Sequence, residues 1–322
     1  MQASELETAL AALKKDYSKL ASRIRKLEHT VSCDAHGVIL RLHYPSLRQG
    51  HATMEELTDA LSHFVVSFAL PRSQVSQLMD LYGIMDREDF IQRYDQLSEK
   101  ARNLFKKANE ATNRNGEAGE LLLYLLTEWV LAAPQLIAKM SLKTNREMPV
   151  HGADGIHARF CPDTQRLLLY WGESKLYSDV SAAITSAVTS IVEALRPEKL
   201  KHEIDLVQRH VEFAGLDGAA KEALLRYLDP FEENYNERHD VITCLVGFDF
   251  EAFSALSATD PQGAETAFNA LAVAKLSDLA PSISAKLRDS GLIGRPIELF
   301  LFPMPSVQKF RDLFQAKIGW KT

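Results

Sequence analysis

The chain has few cysteines, no long apolar run and no recognisable leader. Its 322 residues include three cysteines, and Cys33, Cys161 and Cys244 are too widely spaced for a zinc pattern or a disulfide framework. No apolar run reaches the roughly 20 residues that a membrane-spanning helix needs. The N-terminal residues mix charged with apolar positions, unlike a signal peptide. We therefore predict a cytoplasmic protein with no membrane part.

The chain also has no excess of positive charge. It carries 37 lysine and arginine residues against 43 aspartate and glutamate residues, a formal net charge of −6. Proteins that bind nucleic acids usually carry the opposite sign. Any contact with DNA must therefore come from a local basic surface helped by metal ions that offset an acidic site, or from a partner subunit.

What the chain does contain is a succession of helical and strand patterns. Residues 5–28 place apolar side chains at spacings of three and four, which predicts one helix that packs on its own domain or forms a short coiled coil. Mostly helical patterns continue to a polar turn at 113–116, with a strand at 38–44 among them. We place a boundary at this turn. Residues 1–112 are then a mainly helical N-terminal region with a candidate partner surface, and 113–322 a second domain.

The second domain alternates helices with strands. Helices are predicted over 117–133, 180–195, 198–228, 265–288 and 306–318. Strands are predicted over 137–142, 150–160, 166–177, 240–250 and 296–302. The strand at 166–177 is apolar on both faces, which indicates a central place in the sheet. This order predicts an α/β fold with a mixed sheet.

Three charged residues lie on or beside that central strand. Glu173 and Lys175 are two positions apart, so both side chains leave the same face of a strand. Asp154 lies on or just after the preceding strand, and a return through Pro162 would bring it beside Glu173. Two buried carboxylates repel unless a divalent cation lies between them, and oxygen ligands completed by water suit Mg²⁺. We predict that Asp154 and Glu173 bind the metal ion and that Lys175 orients the attacking hydroxide or contacts a phosphate.

Glu120 is the predicted fourth member of this site. It stands where an apolar helix enters the core, and its carboxylate would bind the metal ion or hold a ligand water. Glu117 shares its face, but an acid in the first turn more often interacts with the helix dipole. The structural alternative for the site is that Lys175 forms a buried ion pair with one of the carboxylates.

Residues around the site are assigned supporting roles. His151 is a candidate phosphate contact and His157 a packing residue, since no third histidine follows at ligand spacing. Aromatic residues of the central strand are expected in the core, namely Tyr170, Trp171 and Tyr177. The candidates for contacts to a nucleic-acid backbone, each as often solvated surface, are Lys139, Lys143, Arg146 and Arg159.

These motifs resemble the PD-(D/E)xK nuclease superfamily. Asp154 and Glu173-Ser174-Lys175 match its signature, with Gly152-Ala153 where the superfamily has its proline. Four segments together resemble the HamA family, the nuclease subunits of Hachiman anti-phage systems: GEAGELLLY (116–124), KMSLKT (139–144), HGADGIH (151–157) and WGESKLY (171–177). The resemblance is densest over 116–195. It implies a restriction-endonuclease-like core in 113–322 with the catalytic residues Glu120, Asp154, Glu173 and Lys175.

The resemblance also implies a function and a partner. It implies a DNA nuclease that depends on Mg²⁺, with Mn²⁺ as a substitute ion. It also implies a heterodimer with a superfamily 2 helicase, HamB, which senses DNA and restrains the nuclease. Two alternatives stay open. The negative charge and the N-terminal apolar repeat favour a catalytically silent interaction subunit of a helicase complex, whereas a stand-alone restriction-type endonuclease would cut at specific sequences.

Overall fold

The fold is described by a computed structural model over residues 2–27, 35–112, 116–143, 152–256 and 261–320. Helices and strands alternate along these residues, which confirms the predicted α/β class. None of the helices in these ranges is both long and apolar enough to cross a membrane.

Helices and strands both contribute buried aliphatic side chains to the core. The strands are β1 (Ile24–Lys26), β2 (Val38–Pro45), β3 (Leu47–Arg48), β4 (His51–Ala52), β5 (Gln135–Ile137), β6 (Gly155–Cys161), β7 (Arg166–Tyr177), β8 (Arg238–Asp249) and β9 (Ile297–Met304). The α-helices are α1 (Gln2–Ala12), α2 (Met54–Ser62), α3 (Val65–Ala69), α4 (Arg72–Met79), α5 (Arg87–Thr112), α6 (Glu117–Val130), α7 (Lys139–Lys143), α8 (Val180–Ala194), α9 (Pro197–His210), α10 (Gly218–Arg226), α11 (Ala252–Ala255), α12 (Pro261–Asp289) and α13 (Val307–Lys317).

Seven strands form a mixed sheet in the order β1-β2-β9-β8-β7-β6-β5. β9 runs parallel to both β2 and β8, whereas β6 is antiparallel to β5 and to β7. β3 and β4 form a separate antiparallel pair. β7 has a neighbour on each side, as its apolar faces predicted, because a strand covered on both faces reads as a continuous apolar run.

Two compact units divide the chain, and each is interrupted in sequence. The first comprises Met1–Asp16, His63–Gly172 and Ala194–Asp240. The second comprises the intervening segments and the C-terminal part, namely Tyr17–Ser62, Glu173–Glu193 and Val241–Thr322. The chain therefore passes from one unit to the other within β7, after Gly172. The boundary predicted between 112 and 113 adjoins residues 113–115, which lie outside the described residues, and it stays a prediction.

The single helix predicted over 5–28 is wrong. α1 ends at Ala12, a 3-10 helix follows at Ser18–Ser22, and β1 pairs antiparallel with β2. The pattern comprises seven apolar positions, and Leu13 among them is half-buried. The other six are buried, namely Leu6, Leu10, Tyr17, Leu20, Ile24 and Leu27. The spacing thus predicted correctly which side chains are buried. They lie in two units, however, since residues up to Asp16 belong to the first and those from Tyr17 to the second. The edge of β2 supplies backbone partners that favour a strand at Ile24–Lys26 over a helix.

The segment after α6 also differs from the prediction. The strand predicted over 137–142 is β5, which ends at Ile137, and Lys139–Lys143 is helical. β5 pairs with β6 across an irregular register, so the pairing stops early and leaves the following backbone to form a turn of helix. Among the aromatic residues of β7, Tyr170 and Trp171 are buried as predicted, but Tyr177 is exposed.

Candidate active site

Helix α6, which carries Glu120, packs closely against the β6–β7 pair. A Cβ added at Gly172 would lie 3.3 Å from Leu123 Cδ2, so the glycine lets this helix approach the strand closely. Further along, the ring of Tyr124 lies 5.7 Å from that of His157. Glu120 lies one turn before Leu123, in the first turn of α6, and is half-buried.

Asp154 is the last residue before β6 and is half-buried. Its backbone N–H donates a 2.6 Å hydrogen bond to the carbonyl of Gly172, which continues the β6–β7 ladder by one residue. Gly172 immediately precedes Glu173 in β7. The backbone of Asp154 is therefore hydrogen-bonded to the last residue of β7 that belongs to the first unit.

A buried ion pair holds the turn that leads to Asp154. Lys139 Nζ lies 2.9 Å from both carboxylate oxygens of Glu203 and donates a 2.5 Å hydrogen bond to the carbonyl of Ala153. Glu203 Oε1 accepts the Ala153 N–H at 3.0 Å. Both polar groups of the Ala153 backbone are thus bound. Lys139 is 1 % exposed and Glu203 is 3 % exposed, so the ion pair offsets a large cost of burying the two charges.

The contact between Glu203 and the Ala153 backbone also requires glycine at position 152. Its φ of +131° favours glycine, and a Cβ at this position would lie 1.8 Å from Glu203 Oε1. The carboxylate occupies the space that any other residue would need. The Gly-Ala pair that replaces the proline of the superfamily signature therefore has a local cause.

In the second unit, Glu173 and Lys175 form an ion pair on β7. Lys175 Nζ lies 2.5 Å from Glu173 Oε1, and the side chains are 14 % (Glu173) and 21 % (Lys175) exposed. Alternation along the strand places both on one face. The carbonyl of the next residue, Leu176, accepts a 2.9 Å hydrogen bond from Arg311 Nη2. The pair has the geometry of the structural alternative, but it keeps the partial exposure that a substrate contact needs.

The donor atoms suit Mg²⁺, although a three-ligand group is absent among the described residues. Mg²⁺ keeps several waters and is commonly held by one or two carboxylates together with substrate phosphates. Asp154 in the first unit and Glu173 in the second each carry such a carboxylate, and their role as ligands of one ion stays a prediction. The role of Glu120 as a third ligand stays a prediction.

His157 is a packing residue, as predicted. It is 2 % exposed and its Nδ1 lies 2.9 Å from the carbonyl of Ala133. Burial away from water lowers its pKa to about 4, although Glu128 and the Ala133 carbonyl act in the opposite direction. His151 lies outside the described residues.

The two buried histidines predict a loss of stability in mild acid. Burial and then the charges of Arg41 and Lys26 lower the pKa of His43 to about 3. Between the ordinary histidine pKa of about 6.5 and these values, the unfolded chain binds protons that the folded chain does not, so stability falls as pH falls. From pH 7 to 5.5 we expect a decrease of about 1 kcal/mol for each histidine in the free energy of unfolding. Urea unfolding at both pH values measures it. His157→Asn should remove about half of the decrease, and an unchanged decrease would contradict the assignment.

The predicted role of Lys139 in DNA contact is wrong, because its ammonium group is buried against Glu203. Arg159 is half-buried, with Nη1 3.4 Å from the Leu131 carbonyl. The side chain of Lys143 and the whole of Arg146 lie outside the described residues.

Sequence reasoning missed Glu203 altogether. Its spacing to the buried Leu206 and Val207 on α9 was the available signal, since an acid on the core face of a helix requires a partner.

A mixed seven-stranded sheet flanked by helices, with an acidic residue before one strand and Glu-x-Lys on the next, defines a protein with a PD-(D/E)xK-like core. No curated protein matches the chain. The model of the HamA family matches residues 22–318, so the chain belongs to the HamA family. Membership of this family makes it an anti-phage component of a Hachiman system.

Proposed function

We propose that this chain is the metal-dependent DNA nuclease of its Hachiman system. The reaction is hydrolysis of phosphodiester bonds, and a partner superfamily 2 helicase, HamB, controls it. The observation that carries the proposal is the partly exposed Glu173–Lys175 pair on β7. It follows directly after the glycine whose carbonyl receives the Asp154 N–H. A charged pair inside an otherwise apolar strand has a desolvation cost that a purely structural role does not require.

The side chains divide the work in this proposal. Asp154 and Glu173 hold Mg²⁺, with Glu120 as a further ligand or as the acceptor for a ligand water. A bound Mg²⁺ supplies Lewis-acid polarisation of a phosphoryl oxygen and a water of lowered pKa. Lys175 carries three N–H donors, so one ammonium group can donate to Glu173 and also orient a water or a phosphate oxygen. Mn²⁺ should replace Mg²⁺, because both accept oxygen ligands.

An exposed apolar surface, formed by α4, α5 and the turn between them, supports a protein partner. Within the first unit it comprises five large side chains that are 40 % to 79 % exposed, namely Met79, Tyr82, Ile84, Ile91 and Tyr94. Exposed apolar surface of this kind is typical of an interaction site. The same surface also suits the second candidate function, a catalytically silent subunit of a helicase complex, and the cleavage assay separates the two.

Glu173→Gln should abolish DNA cleavage while leaving the fold intact. The substitution keeps the side-chain shape but removes the charge that would bind the metal ion and pair with Lys175. We expect at least a hundredfold loss of plasmid cleavage with Mg²⁺, measured with and without the helicase partner, and loss of phage protection. Circular dichroism and thermal unfolding check the fold.

Glu212→Gln is the matched control. Glu212 is an exposed acid paired with Lys221 at 2.8 Å, and its loss should leave cleavage unchanged. Full cleavage by Glu173→Gln would refute the assignment of the site. Absence of cleavage by the unaltered protein, with and without the partner, would favour the silent subunit. A discrete set of fragments would instead indicate a stand-alone restriction-type endonuclease.

A further inference from the structure

The ion pair of Lys139 and Glu203 surrounds the residue directly before Asp154. Lys139 donates to the Ala153 carbonyl at 2.5 Å, and Glu203 accepts from the Ala153 N–H at 3.0 Å. The two side chains also bind each other at 2.9 Å. Since both hydrogen-bonding groups of one peptide residue are held by buried charges, this residue has little freedom to rotate.

The hydrogen bond on the other side completes the restraint. The Asp154 N–H is held by the Gly172 carbonyl at 2.6 Å. The backbone of Asp154 is therefore fixed by β7 on one side and by the Lys139–Glu203 pair on the other. These contacts therefore restrain the backbone that carries the Asp154 carboxylate.

We propose that Lys139 and Glu203 are positioning residues that orient Asp154 for metal binding. The inference rests on the proposed function, because it assigns a purpose to the geometry of a predicted ligand. Neither residue has to touch the metal ion, DNA or the reacting atoms. Loss of a group that orients a metal ligand typically weakens metal affinity or activity by about 10- to 100-fold.

Mn²⁺ binding to the purified full-length protein, without DNA, tests the proposal. Electron paramagnetic resonance measures the Kd for Mn²⁺ alone, and hydrogen exchange of a peptide spanning Gly152 to Ile156 reports the restraint on the Ala153 and Asp154 amides. Glu203→Gln keeps the shape of the side chain and removes its charge. We expect about tenfold weaker Mn²⁺ binding and faster exchange in this peptide.

A second variant perturbs the same contact without changing any charge. The Cβ of Gly152→Ala would lie 1.8 Å from Glu203 Oε1, so the carboxylate must move away from Ala153. This variant should weaken Mn²⁺ binding in the same direction. If Glu203→Gln fails to fold, the Mn²⁺ affinity of Gly152→Ala tests the proposal in its place.

Glu128→Gln is the matched control for a buried carboxylate in the same unit. Its side chain is 1 % exposed and pairs with Arg72 rather than with the turn before Asp154. We expect unchanged Mn²⁺ affinity. An equal loss of affinity in this control would attribute the effect to general destabilisation and contradict the proposal.

The remaining outcomes separate the inference from the proposed function. A folded Glu203→Gln protein with unaltered Mn²⁺ affinity and exchange overturns the inference, even if the unaltered protein cleaves DNA. Failure of the unaltered protein to bind Mn²⁺ overturns it as well. If Glu203→Gln weakens Mn²⁺ binding but the unaltered protein cleaves no DNA with or without the partner, the positioning role stands and the nuclease function is refuted.

Discussion

Glu203→Ala should lower the free energy of unfolding by about 3–5 kcal/mol, because it removes the carboxylate that pairs with the buried Lys139 ammonium. Lys139 is 1 % exposed, so water does not readily replace the lost carboxylate. The Ala153 N–H loses its acceptor in the same change. Urea unfolding followed by circular dichroism measures the effect. A loss below 1 kcal/mol would show that water enters the site.

Removing both charges should recover part of the lost stability. The double variant Lys139→Met with Glu203→Leu replaces the pair with apolar side chains of similar volume, a change that is often close to neutral. Here the recovery should be incomplete, since two backbone groups of Ala153 stay buried without partners at about 1–3 kcal/mol each. A double variant as stable as the unaltered protein would show that these backbone groups find other partners.

The sequence predicted correctly those elements of the fold whose apolar residues follow a regular pattern. β7 is apolar on both faces and was correctly predicted as an inner strand, while α6 was recognised from its apolar run. The pattern at 5–28 identified buried positions equally well but assigned them to one helix. Burial periodicity does not distinguish a helix from a set of short elements whose conformations depend on distant strands such as β2.

The candidate site shows the same limit. Glu173 and Lys175 could be predicted as site residues because two charged side chains are unusual in an otherwise apolar strand. Lys139 and Glu203 lie 64 residues apart in the sequence, on two different helices. The sequence around either residue gives no indication that the other is its partner. Only the folded chain shows that the Gly152 turn is shaped around their ion pair.

Glu128→Ala should have a stability effect comparable to that of Glu203→Ala. Glu128 Oε1 accepts hydrogen bonds from Arg72 and from the backbone N–H of Gln135, and the Arg72 side chain is 10 % exposed. The alanine variant leaves a buried guanidinium and a buried N–H without this acceptor. Arg72 keeps its bonds to the carbonyls of Gln135 and Leu13, which limits the loss to about 3 kcal/mol.

Glu128→Gln separates the two contributions. Its amide oxygen can still accept from the Gln135 N–H, so this variant loses the charge but keeps the hydrogen bond, and about half of the alanine effect should remain. Burial and the Arg72 charge lower the pKa of Lys15, and Glu128 opposes them. Both variants should therefore lower the Lys15 pKa further, which NMR titration of the ammonium group measures. If the glutamine variant costs as much as the alanine variant, then the charge, rather than the hydrogen bond to β5, stabilises this part of the first unit.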